Sequence, residues 1–101
     1  MAITSFLSQD KQELTIAIQG RFDFSSLQIF RDAYEKIAPD PAHYIVDLKE
    51  ADYLDSSALG MLLALRDHAG GHEAHIVIRN AIPDVKKILI ITKLNELFKV
   101  E

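Results

Sequence analysis

The sequence contains no cysteine, no long apolar run, and neither internal repeats nor low-complexity tracts. The lack of cysteine excludes a disulfide framework, a thiolate metal site and a cysteine nucleophile, and it fits a reducing compartment. Hydrophobic residues make up 49% of the 101 residues, which is the composition of a globular protein. A chain of this length predicts one domain over residues 1–101.

Membrane and nucleic-acid signals are also missing. No apolar run approaches the roughly 20 residues of a membrane helix, and the opening segment MAITSFLSQDKQEL lacks the basic start and apolar stretch of a signal peptide. We therefore expect a cytoplasmic protein without membrane insertion. The formal net charge is −4, and basic residues are scattered apart from the pair Lys86 and Lys87. Nucleic-acid binding is not expected, because phosphate contacts need a concentrated basic face.

Strand signals recur along the chain. The segment ELTIAIQ, residues 13–19, alternates apolar and polar residues, which predicts a strand that ends at Gly20. The preceding ITSFLS predicts a short strand paired with it. The apolar runs HYIVDL (43–48) and AHIVIR (74–79) predict buried strands, and ELFKV predicts a short final strand.

Three helices are predicted between these strands. The first carries Leu27, Phe30, Tyr34 and Ile37 at helical spacing, opens on a capping box of Ser25 and Gln28, and stops at Pro39 and Pro41. The second begins near Ser56 and ends at Gly70–Gly71, and the third opens at Pro83. The order predicts an α/β fold: a mixed sheet with an initial antiparallel pair, right-handed β/α crossovers, and helices packed on the sheet.

Two predicted loops follow strands and lead into helices, GRFDFSS and KEADYLDSSA. Binding sites in such sheets gather at the carboxyl ends of strands. Asp23 in the first loop is typical of a helix cap or turn. In the second loop, Asp55 or Ser56 is placed to cap the second helix. The alternative is that a serine hydroxyl here accepts a phosphate, because a helix N-terminus tolerates negative charge.

The second helix is unusually apolar. One stripe is expected to face the core, and it consists of Ala58, Leu62, Leu65 and Ala69. The opposite side holds Ser56, Gly60, Leu63 and Asp67, with Leu59 at its flank. Either neighbouring elements cover this helix on several sides, or part of it docks another protein.

Two other site classes are disfavoured. A serine hydrolase would need a nucleophile elbow and an activating histidine, and neither Ser56 nor Ser57 has that setting. His68 and His72 have the spacing of two metal ligands on a helix, but Gly70 and Gly71 lie between them and break it. We expect no metal, no cofactor and no enzymatic activity.

Three segments together resemble one family. IVDLKEADYLDSSALGMLLALRDHAGG resembles the signature region of the STAS domain of bacterial anti-sigma factor antagonists, IAIQGRFDFSS resembles its earlier turn, and IPDVKKILIITKLNELFKV resembles its closing segment. The likeness covers almost the whole chain in order and spacing. It implies a β/α superhelical domain that binds an anti-sigma factor. The partner is often also a serine kinase of the ATPase type, and a metal-dependent, PP2C-like phosphatase reverses its action.

The resemblance also implies roles for particular residues. Ser56, the first serine after the aspartate, corresponds to the phosphorylation site, and Ser57 is its neighbour. Asp23 and Asp55 fall where the family's acidic partner-contacting residues lie. The docking helix is implied to contribute Leu59 and Gly60, and the pattern of the helix adds Leu63. Ala58 departs from the family, which commonly has glycine there.

The resemblance leaves other clients open. A STAS-type regulatory subunit can also serve a lipid transporter, a stress-signalling complex, or a network that controls second-messenger enzymes and motility. Phosphorylation of Ser56 and the identity of the bound protein distinguish these alternatives. The sequence predicts no oligomeric state.

Overall fold

Alternating apolar residues build a sheet of five strands in the computed structural model, which describes residues 2–101. The strands are β1 (Ala2–Leu7), β2 (Glu13–Phe22), β3 (His43–Leu54), β4 (Ile76–Arg79) and β5 (Lys99–Val100). They lie side by side in chain order. β1 is antiparallel to β2, and the other neighbouring strands are parallel.

The helices connect the parallel strands. They are α1 (Leu27–Glu35), α2 (Ser56–His68) and α3 (Pro83–Ile91), with short 3-10 turns at Phe24–Ser26, Gly71–Glu73 and Leu94–Glu96. Each connection steps one strand in the same direction across the sheet. Because such crossovers are almost always right-handed, all three helices cover the same face. The predicted α/β fold with an initial antiparallel pair is confirmed.

The core lies between that face and the helices. In β2 the buried residues alternate with partly exposed ones, so that Leu14, Ile16 and Ile18 point to the helices. On α2 the predicted stripe is buried at Ala58, Leu62 and Leu65, and Ala69 is half-buried. Helices α1 and α3 contribute Phe30, Tyr34, Val85 and Leu89 to the core.

Two strand boundaries differ from the sequence-based expectation. β2 does not end at Gly20 but continues to Phe22, because Gly20 adopts a positive φ of 78° at an irregularity in the register and pairing then resumes. KEADYL is not a loop, since β3 runs through it to Leu54 and pairs with the extended part of β2. Lateral hydrogen bonds therefore override a polar composition that resembles a loop.

The start of α1 also differs. The predicted capping box of Ser25 and Gln28 is wrong. Asp23 caps the 3-10 turn before α1 by accepting the backbone N–H of Ser25, and the Gln28 amide donates to Asp32 instead. The predicted end of α2 at Gly70–Gly71 is confirmed. The helix ends at His68, and Gly70 follows with a φ of 119°.

Candidate functional site

Two strand ends meet beside the start of α2. Phe22 at the end of β2 is the register partner of Leu54 at the end of β3. The backbone N–H of Asp55 donates to the carbonyl oxygen of Phe22 over 3.4 Å. Asp23 and Asp55, which each follow one of these partners, are thereby held on neighbouring strand ends. The structure thus brings together the two segments that the sequence singled out.

Asp55 is the N-cap of α2. One oxygen of its carboxylate accepts the backbone N–H of Ala58 at 3.0 Å and the hydroxyl of Ser57 at 2.6 Å. These bonds favour the ionised carboxylate, so they lower the pKa of Asp55, with the Ser57 bond as the largest cause. Asp55 therefore remains charged and keeps the first turn closed.

Ser56 is the first residue of α2, and it is exposed. Within residues 2–101 no group exchanges a hydrogen bond with its hydroxyl, because Asp55 already serves as the cap. Ser57, by contrast, is half-buried, and its hydroxyl donates a hydrogen bond to the carboxylate of Asp55. Of the two adjacent serines, Ser56 thus has the more accessible hydroxyl.

Asp23 repeats the geometry of Asp55 on the neighbouring strand end. Its carboxylate accepts the backbone N–H and the hydroxyl of Ser25, and its other oxygen lies 3.6 Å from Nε of Arg21. The hydrogen bond from the Ser25 hydroxyl is the main cause that lowers the pKa of Asp23, while the charge of Asp55 acts in the opposite direction. Two ionised carboxylates, those of Asp23 and Asp55, therefore lie near the start of α2, where Ser56 is the first residue.

Two exposed aromatic residues belong to the same two segments as these carboxylates. Phe24 is 61% exposed directly after Asp23, and Tyr53 is exposed with its ring 4.1 Å from the guanidinium carbon of Arg21. Sequence reasoning missed both, although an aromatic residue inside a polar segment was the available signal. We name the group Asp23, Phe24, Tyr53, Asp55 and Ser56 the switch surface.

The predicted docking residues of α2 are exposed to different degrees. Gly60 is exposed, and nothing lies within 4 Å of the position that a Cβ would occupy there. Leu63 is 38% exposed, whereas Leu59 packs partly against the core. Ala58 is fully buried, so its methyl group faces the core and not the outer surface.

No metal-binding group forms within the described part of the chain. Among residues 2–101, no three or more His, Asp or Glu side chains gather closely enough to hold a metal ion. His68 ends α2, and His72 lies in the 3-10 turn beyond Gly70, so the two do not share a helix face. No helix in residues 2–101 has the length and apolar character required to cross a membrane.

A comparison with protein families matches most of this chain to a known family. The family model described as "Mlab, STAS domain" matches residues 5–100. This chain belongs to the STAS domain family. A STAS-domain containing protein of Pseudomonas aeruginosa is 62% identical over 100 residues, which cover 99% of each chain.

Solved structures of other proteins share the architecture. The anti-sigma factor antagonist SpoIIAA in its unphosphorylated form is 17% identical, with a TM-score of 0.79 over 99% of this chain and 88% of SpoIIAA. Bacillus SpoIIAA in its phosphorylated form is 15% identical, with a TM-score of 0.74 over 99% and 91%. A sulfate transporter family protein from Wolinella succinogenes is 12% identical, with a TM-score of 0.75 over 90% and 73%. At these identities the likeness establishes the fold of the STAS domain.

Proposed function

We propose that this STAS domain is an anti-sigma factor antagonist that is switched by phosphorylation of Ser56. The observation that carries the proposal is the exposed Ser56 hydroxyl, which has no hydrogen-bond partner within residues 2–101 while Asp55 supplies the cap. A kinase can therefore modify Ser56 without first breaking a hydrogen bond of the fold. Ser57 lacks this freedom because its hydroxyl donates to Asp55.

The start of α2 is suited to carry a phosphate. The first backbone N–H groups of a helix lack partners, and the helix dipole favours negative charge there. A phosphate adds roughly −1.5 to −2 charges at neutral pH. The modified protein thus stays folded, while the charge of the switch surface, already set by Asp23 and Asp55, becomes strongly negative. A partner that docks on this surface is then repelled by like charge and by the cost of desolvating the phosphate.

The proposed partner is an anti-sigma factor with a serine kinase of the ATPase type. In the unmodified state it contacts the switch surface together with Ser57, Leu59, Gly60 and Leu63. Phosphorylation releases it, and a PP2C-like phosphatase restores the binding form. The shared fold of SpoIIAA, an antagonist solved in unphosphorylated and phosphorylated forms, supports this cycle. The protein acts in the cytoplasm as a binding module, without catalysis or a cofactor.

The decisive experiment compares three variants in a pull-down with intact mass measurement before and after phosphatase treatment. Ser56→Ala is expected to bind the anti-sigma factor constitutively and to gain no phosphate. Ser56→Asp is expected to bind about a hundredfold more weakly, a loss of about 3 kcal/mol. Ser57→Ala is the matched control, because it removes the neighbouring hydroxyl and should still be phosphorylated. Wild-type affinity of Ser56→Asp would refute the switch.

A regulatory subunit of a transporter is the second candidate, and the shared fold of a sulfate transporter family protein favours it. A transporter subunit that co-purifies with the unmodified and the Ser56→Asp protein alike would support this alternative. A stress-signalling complex or a second-messenger enzyme in the same pull-down would identify the remaining clients.

A further inference from the structure

The outward side of α3 carries exposed aliphatic residues. Val85 and Leu89 are fully buried on the side that faces the sheet. Ile90 and Ile91 point away from the core, with 51% and 71% of their surfaces exposed. Two adjacent isoleucines exposed to this degree cost free energy in water, and an apolar patch of this kind marks a contact site when its surroundings fit a partner.

Two lysines stand one helical turn before these isoleucines. Lys86 precedes Ile90 by four residues and Lys87 precedes Ile91 by four, so each lysine adjoins one isoleucine on the helix surface. Both lysines are exposed, and neither forms a salt bridge with any residue in the range 2–101. In contrast, Arg79 lies 3.1 Å from Glu101. The ammonium groups of Lys86 and Lys87 are therefore available to pair with carboxylates of a partner.

The patch is a shallow, open area of the surface. It has a volume of about 570 Å³. We name it the α3 surface, and its residues are Ala81, Pro83, Lys86, Lys87, Ile90 and Ile91. None of them belongs to the switch surface, and no residue of α2 contributes.

We propose that the α3 surface docks an acidic amphipathic helix of a partner protein. Apolar side chains on one stripe of that helix cover Ile90 and Ile91, and carboxylates beside the stripe pair with Lys86 and Lys87. Helices recognise shallow apolar grooves through such spaced anchors, and charge complementarity fixes their orientation. Because the site lies on a different helix from Ser56, its binding does not depend on phosphorylation, and it stands independently of the proposed switch.

The charge pattern disfavours two other occupants. An anionic membrane would attract the lysines, but recognition of anionic lipid takes a cluster of about four to eight basic residues. The α3 surface holds only the pair Lys86 and Lys87. A second copy packed symmetrically on this surface would place the lysines of both copies in one interface, and no carboxylate belongs to the α3 surface to pair with them. Unpaired like charges destabilise such an interface. An acidic partner is the occupant that both the lysines and the isoleucines fit.

The probe is a labelled synthetic helix of about four turns with leucines at helical spacing flanked by glutamates. It is titrated into the full chain at low salt and followed by amide NMR shifts and fluorescence anisotropy. Shifts confined to α3 are expected. The double variant Lys86→Glu/Lys87→Glu and the double variant Ile90→Ser/Ile91→Ser should each weaken binding at least about tenfold. Ile29→Ser, at an equally exposed isoleucine of α1, and Ser56→Asp should leave it unchanged.

Several results would overturn the proposal. They are no binding of the acidic helix, binding insensitive to both double variants, or equal binding of a helix with lysines in place of glutamates. Binding to phosphatidylglycerol vesicles or self-association on sedimentation, in the absence of helix binding, would assign the α3 surface to a membrane or to a second copy. Circular dichroism of each variant separates a lost site from a lost fold.

Discussion

The hydroxyl of Ser57 donates a 2.6 Å hydrogen bond to the carboxylate of Asp55, which also caps α2. This single contact makes two neighbouring serines unequal, because it occupies Ser57 and leaves Ser56 as the hydroxyl that faces solvent. The cap and the proposed modification site are therefore divided between different residues. The helix can keep its cap whether or not the adjacent hydroxyl carries a phosphate.

Removing the cap should loosen the start of α2. Asp55→Ala deletes the acceptor for Ala58 N–H and for the Ser57 hydroxyl, so we expect a lower Tm in thermal unfolding. Asp55→Asn keeps an acceptor oxygen and should lose less. Asp52→Ala, at an exposed aspartate of β3, is the control, because it removes the same charge without removing a helix cap. Equal Tm values for Asp55→Ala and Asp52→Ala would contradict the capping role.

Stability should fall in acid through Asp23 and Asp55. Hydrogen bonds lower the pKa of both carboxyls in the folded state, so the folded state binds fewer protons than the unfolded state as the pH drops. Their contribution is complete above the ordinary aspartate pKa of about 4 and disappears as the pH falls through the lowered folded values. Urea midpoints measured from neutral pH to about pH 3 check this. The double variant Asp23→Asn/Asp55→Asn should show a flatter decline, and an identical slope would refute it.

Adjacent leucines of α2 should separate stability from binding. Leu62 is fully buried, so Leu62→Ala creates a cavity and should cost about 2–5 kcal/mol in the free energy of unfolding. Leu63 is partly exposed, so Leu63→Ala should change stability by less than about 0.5 kcal/mol. Chemical denaturation and partner affinity are measured on both variants. Leu63→Ala should weaken anti-sigma factor binding, and unchanged affinity would remove Leu63 from the proposed interface.

A methyl group at Gly60 should stabilise the fold and hinder the partner. Gly60 lies inside α2, and the space that a Cβ would fill is open. Gly60→Ala should therefore raise the free energy of unfolding by about 0.5–1 kcal/mol, since alanine is the better helix former. If the partner approaches α2 closely at this position, its affinity falls at the same time. A gain in stability without any loss of affinity would show that Gly60 lies outside the contact.

Local patterns predicted much of the fold, and their failures have physical causes. Alternation located β2, and apolar runs located β3 and β4, because burial of one face repeats with the period of a strand. The polar composition of KEADYL predicts a loop, yet this segment pairs with the end of β2. Strand pairing depends on a neighbour that is distant in the chain, and no local property of that segment reveals it.

The sequence by itself determined the alternation of strands and helices, the family resemblance, and an aspartate followed by serines at the start of α2. Tertiary structure decided which groups meet there. The register of Phe22 with Leu54 holds Asp23 near Asp55, and the packing of α3 leaves Ile90 and Ile91 uncovered. The reason is that periodicity specifies which face of an element is apolar, whereas only the assembled chain specifies what covers that face.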